Sequence, residues 1–124
     1  MSEAKEWRKS IKEGFTASPY SEGPGFFMKF ENGFMVSVQW GYYNYGDHYM
    51  DTYKSIEEMD YSLLAEIAVI NPEGDHMRID DVDDTIAAYI RAEEVAEYMY
   101  KVSKLKSDPV TGKVTDPTNL FTKQ

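Results

Sequence analysis

Phe26-Phe27-Met28-Lys29-Phe30-Glu31-Asn32-Gly33-Phe34-Met35-Val36-Ser37-Val38-Gln39-Trp40 is the stretch on which the fold turns. Two apolar, β-prone runs flank Asn32-Gly33, a strong hairpin signal. The register can be argued from the side chains. A two-residue turn would pair Glu31 with Phe34 and set Lys29 against Val36, mixing polar and apolar residues on each face. A three-residue loop, Glu31-Asn32-Gly33, with Gly33 left-handed in a bulge, pairs Phe30 with Phe34 instead. Phe26, Met28, Phe30, Phe34, Val36, Val38 and Trp40 then share one face, and Phe27, Lys29, Met35, Ser37 and Gln39 the other. A one-residue slip would invert every side chain, so the clean segregation favours the bulged turn. The first face is expected to be the core face.

Downstream, the hairpin runs straight into Trp40-Gly41-Tyr42-Tyr43-Asn44-Tyr45-Gly46-Asp47-His48-Tyr49-Met50-Asp51-Thr52-Tyr53, which holds five of the ten tyrosines. Their spacing follows neither the strand nor the helix period. Tyr and Trp offer large amphipathic surfaces at low entropic cost, as binding loops require. Trp40, Tyr42, Tyr43, Tyr45, Tyr49 and Tyr53, with Asp47 and Asp51, are therefore candidate contact residues. The plainer reading is a strand end followed by a loop folded back on the core, since aromatics also fill the cores of small domains.

Ser55-Ile56-Glu57-Glu58 fits a capping box for a short helix over 56–60. Leu63, Ala65, Ile67 and Val69 alternate with Leu64, Glu66 and Ala68, as in a strand with one buried face. Asn71-Pro72-Glu73-Gly74 reads as a type I turn, and 76–80 as a short returning strand with Met77 and Ile79 inward. Asp80, Asp81, Asp83 and Asp84 form an acidic edge, a second candidate contact feature, and Asp84 is placed to cap a helical turn from Thr85. A helix is expected over 92–105, with Val95, Met99 and Val102 on its apolar stripe and a break near Arg91.

Upstream, residues 3–14 read as a short amphipathic helix carrying Trp7 and Ile11, stopped by Gly14. The Ser-, Pro- and Gly-rich 16–25 reads as a connector. After Lys106, two Asp-Pro pairs among Thr, Gly and Lys describe an extended or mobile tail. The expected architecture is a single α+β domain over 1–106 with a tail over 107–124. An antiparallel sheet of about four strands, made of two hairpins, would pack with a C-terminal helix and a short N-terminal helix.

A chain of 124 residues fits one domain. With no cysteine, disulfides and thiolate metal sites are ruled out. No apolar run is long enough to span a bilayer as a helix, and residues 1–7 have no signal-like apolar core; a soluble, non-membrane protein is expected. The net charge of −9 is unevenly spread: residues 1–13 carry +1, 14–100 carry −13 and 101–124 carry +3. Such a body repels phosphate backbones and steers towards basic surfaces, including those that hold nucleic acid. Direct nucleic-acid binding is not expected.

The two histidines occur in Gly46-Asp47-His48 and Gly74-Asp75-His76. The duplication has the residue types of a divalent-metal site, but no third ligand is set by spacing and Gly-Asp is common in turns, so neither metal nor cofactor is expected. Twenty-two acids single out no catalytic pair, and no nucleophile elbow, Walker loop or dinucleotide fingerprint is present. An enzyme is not the expected class.

Residues 26–45 resemble part of a family of small phage-encoded proteins without assigned activity. The shared pattern is Phe-x-Asn-Gly-x-x-Val-Ser-Val-Gln, then Gly and Asn-Tyr, then an Ala-Glu-x-Ala strand, here Ala65-Glu66-Ile67-Ala68. The match spans about a third of the chain. Where some relatives carry Cys after Asn-Tyr this chain has Gly46, so no site is carried over there. The resemblance implies the cytoplasm of an infected bacterial cell. The expectation is then an acidic binding protein that occludes a basic host surface through the Tyr-rich stretch. Two alternatives stay open: a virion or assembly component that self-associates, and sequestration or turnover of a small nucleotide.

Overall fold

The computed structural model describes residues 3–18, 24–40, 61–77, 86–107 and 114–115. Its centre is the hairpin of β2 (Gly25–Lys29) and β3 (Met35–Gln39), in the bulged register. Phe30 N–H donates to Phe34 O at 2.9 Å, Gly33 N–H donates to Phe30 O at 2.9 Å, and Gly33 has a φ of +89°. Met28 pairs with Val36 and Phe26 with Val38, as the segregation of faces requires.

Around it, β1 (Gly14–Ala17), β4 (Leu64–Ile70) and β5 (Ile86–Arg91) complete an antiparallel five-stranded sheet in the order β1-β2-β3-β4-β5. Helix α1 (Glu3–Ser10) lies on one face and α2 (Ala92–Val102) on the other. Two further short strands, β6 (Lys106–Ser107) and β7 (Val114–Thr115), pair with each other. The arrangement is α+β, with one strand more in the main sheet than expected.

The α2 face holds the larger core: Phe34, Val36, Val38, Ile67 and Val69 from the sheet meet Val95 and Val102 of α2 and Leu105 beyond it. These are the apolar positions that period-2 and period-3.6 patterning place inward. Phe26, Met28, Phe30 and Met99, expected inside with them, are only half-buried. α2 packs over β3, β4 and β5 and stops short of β2.

The opposite face departs further from expectation, because Phe27 and Met35 are fully buried rather than facing outward. Ile11 joins them with Ile70 in a second cluster, and the Trp7 ring meets Phe27 edge-on at 5.3 Å. Polar ties dock α1: Arg8 Nε donates to Gly74 O at 2.9 Å, and Lys5 Nζ lies 2.9 Å from Asp75. Lys29 Nζ donates to Ile11 O at 2.8 Å. β3 is consequently buried at all five positions, on both faces.

One segment expected to be helix end and connector, and one expected to be helical, are strands. The chain leaves α1 at Ser10, four residues earlier than expected, and 14–17 pairs with β2. At the other edge, residues 86–91 are strand where a helical turn from Thr85 was expected; the break at Arg91 is where that strand passes into α2. β5 escapes the alternation rule because it is bulged. Ala65 pairs with Ile90 and Ile67 with Ala87, leaving Ala88 and Tyr89 opposite Glu66, and Tyr89 takes a left-handed φ of +55°.

The turn at 71–74 forms as read, with Gly74 N–H donating to Asn71 O at 2.9 Å. Asn71 Oδ1 accepts from the N–H of Glu73 and of Asp75. The chain then returns along the end of β4 through a bridge from His76 to Ile70. The expected helix at 56–60, the rest of the returning strand at 78–80 and the cap at Asp84 lie outside the described residues.

Candidate functional site

Trp40 follows the last residue of β3 and is the root of the Tyr-rich stretch. Its N–H donates to Pro24 O at 3.1 Å, continuing the β2–β3 ladder by one more pair. Its ring packs edge-on against Phe26, with centroids 6.5 Å apart. The strand behind it is buried throughout, so Trp40 is held by a rigid element rather than by a loop.

Beside Trp40 an apolar groove of about 260 Å³ opens at the end of the sheet. Phe26 and Val38 of the hairpin form one wall, and Leu63, Ala65, Ile90 and Val95 form the other. Five elements, β2, β3, β4, β5 and α2, contribute, which is why no single motif announced it. Leu63, expected inside by its alternation with Ala65, stands 48% exposed at the rim, and Tyr61 nearby is 71% exposed. Trp40, just before residues 41–60, and Ser62, just after them, both line this groove.

Charge lies alongside. Ala92 lines the groove as the first residue of α2, and Glu93, Glu94 and Glu97 are exposed on the helix that follows. Arg91 N–H donates to Glu94 Oε1 at 3.1 Å, and Arg91 Nε lies 3.2 Å from Glu93 Oε1. Its own backbone N–H and then the Arg91 guanidinium hold the Glu93 carboxyl below its usual pKa. Farther along α2, Lys101 pairs with Glu97 at 2.9 Å. The groove can take an apolar or aromatic side chain, with anionic groups next to it.

Of the contact residues expected from sequence, Trp40 is the one the described structure places. Tyr42, Tyr43, Tyr45, Asp47, Tyr49, Asp51 and Tyr53 lie outside the described residues, as do Asp80, Asp81, Asp83 and Asp84. So does His48, and with it any meeting of the two Gly-Asp-His segments. Among the described residues no group of three His, Cys, Asp or Glu side chains is placed to hold a metal ion, and no helix is long and apolar enough to cross a membrane.

Comparison with protein-family models, with curated proteins and with solved structures finds no match. The groove and the stretch that leaves it are therefore read from their own chemistry.

Proposed function

We propose that the chain is a non-enzymatic, acidic binding protein that covers a basic site on a partner protein, with Trp40 and the Tyr-rich stretch as its anchor. The supporting observation is the rooting of that stretch: it starts from a strand buried at every position and beside an apolar groove. Aromatic anchors backed by rigid elements are where binding energy concentrates. Tyrosine faces accept Arg and Lys through cation–π contacts, and Asp47, Asp51 and the acids of 80–84 supply ion pairs. Net charge of −13 over 14–100 favours a basic partner and speeds encounter with it. By its resemblance to small phage proteins, the partner would be a bacterial host protein whose site normally holds nucleic acid, blocked by occlusion.

Passing bacterial lysate over the immobilised full chain tests this, with retained proteins identified by mass spectrometry. The expected result is specific retention of a basic protein, weakened by added salt. Alanine at the best of Tyr42, Tyr43, Tyr45, Tyr49 and Tyr53 should weaken binding by about 2 kcal/mol or more while leaving the melting temperature within a few degrees. No retained partner, or unfolding of these variants, would overturn the reading. Stabilisation by one nucleotide of a panel, with no protein retained, would instead place the chain among small-nucleotide binders.

A further inference from the structure

Asn32-Gly33 is the chain's single Asn-Gly pair. With no Cβ on Gly33, its backbone nitrogen can close on the carboxamide of the residue before it, an approach that a larger neighbour hinders. In that reaction the Gly33 nitrogen passes its proton to water and bonds to Asn32 Cγ. The Cγ–Nδ2 bond breaks and the nitrogen leaves as ammonia. Water then opens the cyclic imide at either carbonyl, leaving aspartate or isoaspartate. Water is consumed, ammonia is released and nothing is oxidised or reduced.

The fold holds every atom this reaction must move. Gly33 N–H, the nucleophile before it loses its proton, donates to Phe30 O at 2.9 Å. On the carboxamide, Oδ1 accepts from Phe34 N–H at 3.0 Å. The leaving nitrogen, Nδ2, donates to Val102 O at 2.9 Å and to Leu105 O at 3.0 Å. Removing the Gly33 proton forfeits its bond to Phe30 O, and making Cγ tetrahedral swings Oδ1 and Nδ2 off their partners. The two accepting carbonyls are themselves anchored. Val102 and Leu105 are fully buried in the larger core, and Leu105 N–H donates back to Val102 O at 3.1 Å.

We infer that Asn32 is a latent deamidation site, locked by the end of α2, at which opening of residues 102–105 becomes chemically irreversible. While the ties hold, the pair is inert. When 102–105 lifts, the carboxamide loses its two carbonyl partners and the reaction proceeds. Neither product can dock again as before. A carboxylate has no proton to donate to Val102 O or Leu105 O. It also brings negative charge to the end of a helix whose dipole is already negative there. Isoaspartate in addition lengthens the turn backbone by a carbon, at the place that sets the β2–β3 register. Lost docking of α2 is thus recorded covalently, at a rate set by the local stability of the helix end. This assignment does not depend on what the Trp40 side binds.

To test it, the full chain is aged at neutral pH and physiological temperature, either folded or in guanidinium chloride. Peptide mapping by mass spectrometry follows amide-to-acid conversion at Asn32. The folded wild type should convert at least about tenfold more slowly than the unfolded chain, which needs no local opening. Leu105→Val, still folded by circular dichroism, loosens the α2 end and should convert severalfold faster than wild type. Ile70→Val, a like truncation in the other buried cluster, should stay at the wild-type rate. Chain recovered after conversion should unfold at a lower denaturant concentration than fresh chain. Equal rates for folded and unfolded wild type overturn the inference. So does Leu105→Val converting at the wild-type rate, or Ile70→Val matching its acceleration, which would make global unfolding the gate. A converted chain as stable as the fresh one overturns it too.

Discussion

Asn32 and Leu105, seventy-three residues apart, are joined by a 3.0 Å hydrogen bond from Asn32 Nδ2 to the Leu105 carbonyl. The same amide donates to Val102 O at 2.9 Å, and Asn32 Oδ1 accepts from Phe34 N–H at 3.0 Å. One turn residue thus shapes the central hairpin and satisfies carbonyls at the end of α2 that the helix cannot pair itself.

Replacing Asn32 by Ala should cost about 1–3 kcal/mol, because part-buried carbonyls lose their donor. Asn32→Asp should cost more. It keeps the acceptor for Phe34 N–H but turns a negative carboxylate towards two carbonyl oxygens. Denaturant midpoints of the two variants decide the order, and an Asp variant more stable than the Ala variant would refute the geometry.

Phe34→Ala removes a ring that is 1% exposed at the middle of the larger core. The expected loss is about 3–5 kcal/mol, a large part of the roughly 5–15 kcal/mol that holds such a domain. Phe30→Ala, on the same face but half-buried, should lose less. Thermal melts of the pair would show whether burial, rather than shared facing, sets the cost.

Gly25 lies against its neighbour strand so closely that a Cβ there would strike the Val38 carbonyl and the Gln39 side chain. Gln39 cannot easily yield: it is buried and its Nε2 donates to Ser18 at 2.6 Å and Ser37 at 3.1 Å. Gly25→Ala should therefore destabilise by about 1–3 kcal/mol, as overpacking does, although Ala is ordinarily the better strand residue. Urea titration against wild type measures it.

His76 has its pKa lowered from 6.5, first by partial burial and then by the nearby Arg8 guanidinium, with Asp75 opposing. The unfolded chain then binds the proton more readily than the folded one. Stability from this group is complete above 6.5, falls as pH drops through 6.5, and is lost below the lowered folded value. His76→Gln should flatten that part of the pH–stability curve. The effect is small because His76 is only partly buried. Subtracting the two curves isolates it from His48 and the carboxylates.

The hairpin was legible because its information is local. Alternation along Phe26–Trp40 admits one register, and Gly33 can supply the left-handed turn that register needs. The turn at Asn71–Gly74 and the stripe of α2 are local in the same way. Other features depend on neighbours that no window of sequence contains. Phe27 and Met35 are buried because α1 docks over them through Trp7, Ile11 and Arg8. β1 alternates in burial, but its exposed positions are Phe15 and Ala17 and its half-buried ones Gly14 and Thr16, the reverse of what their hydropathy suggests. β5 carries an inserted residue that destroys its alternation. The groove beside Trp40 exists only where β2, β3, β4, β5 and α2 converge. Sequence determined which segments could be strand or helix, because backbone period and turn chemistry act over a few residues. Which faces became interior was decided by long-range packing in the assembled sheet.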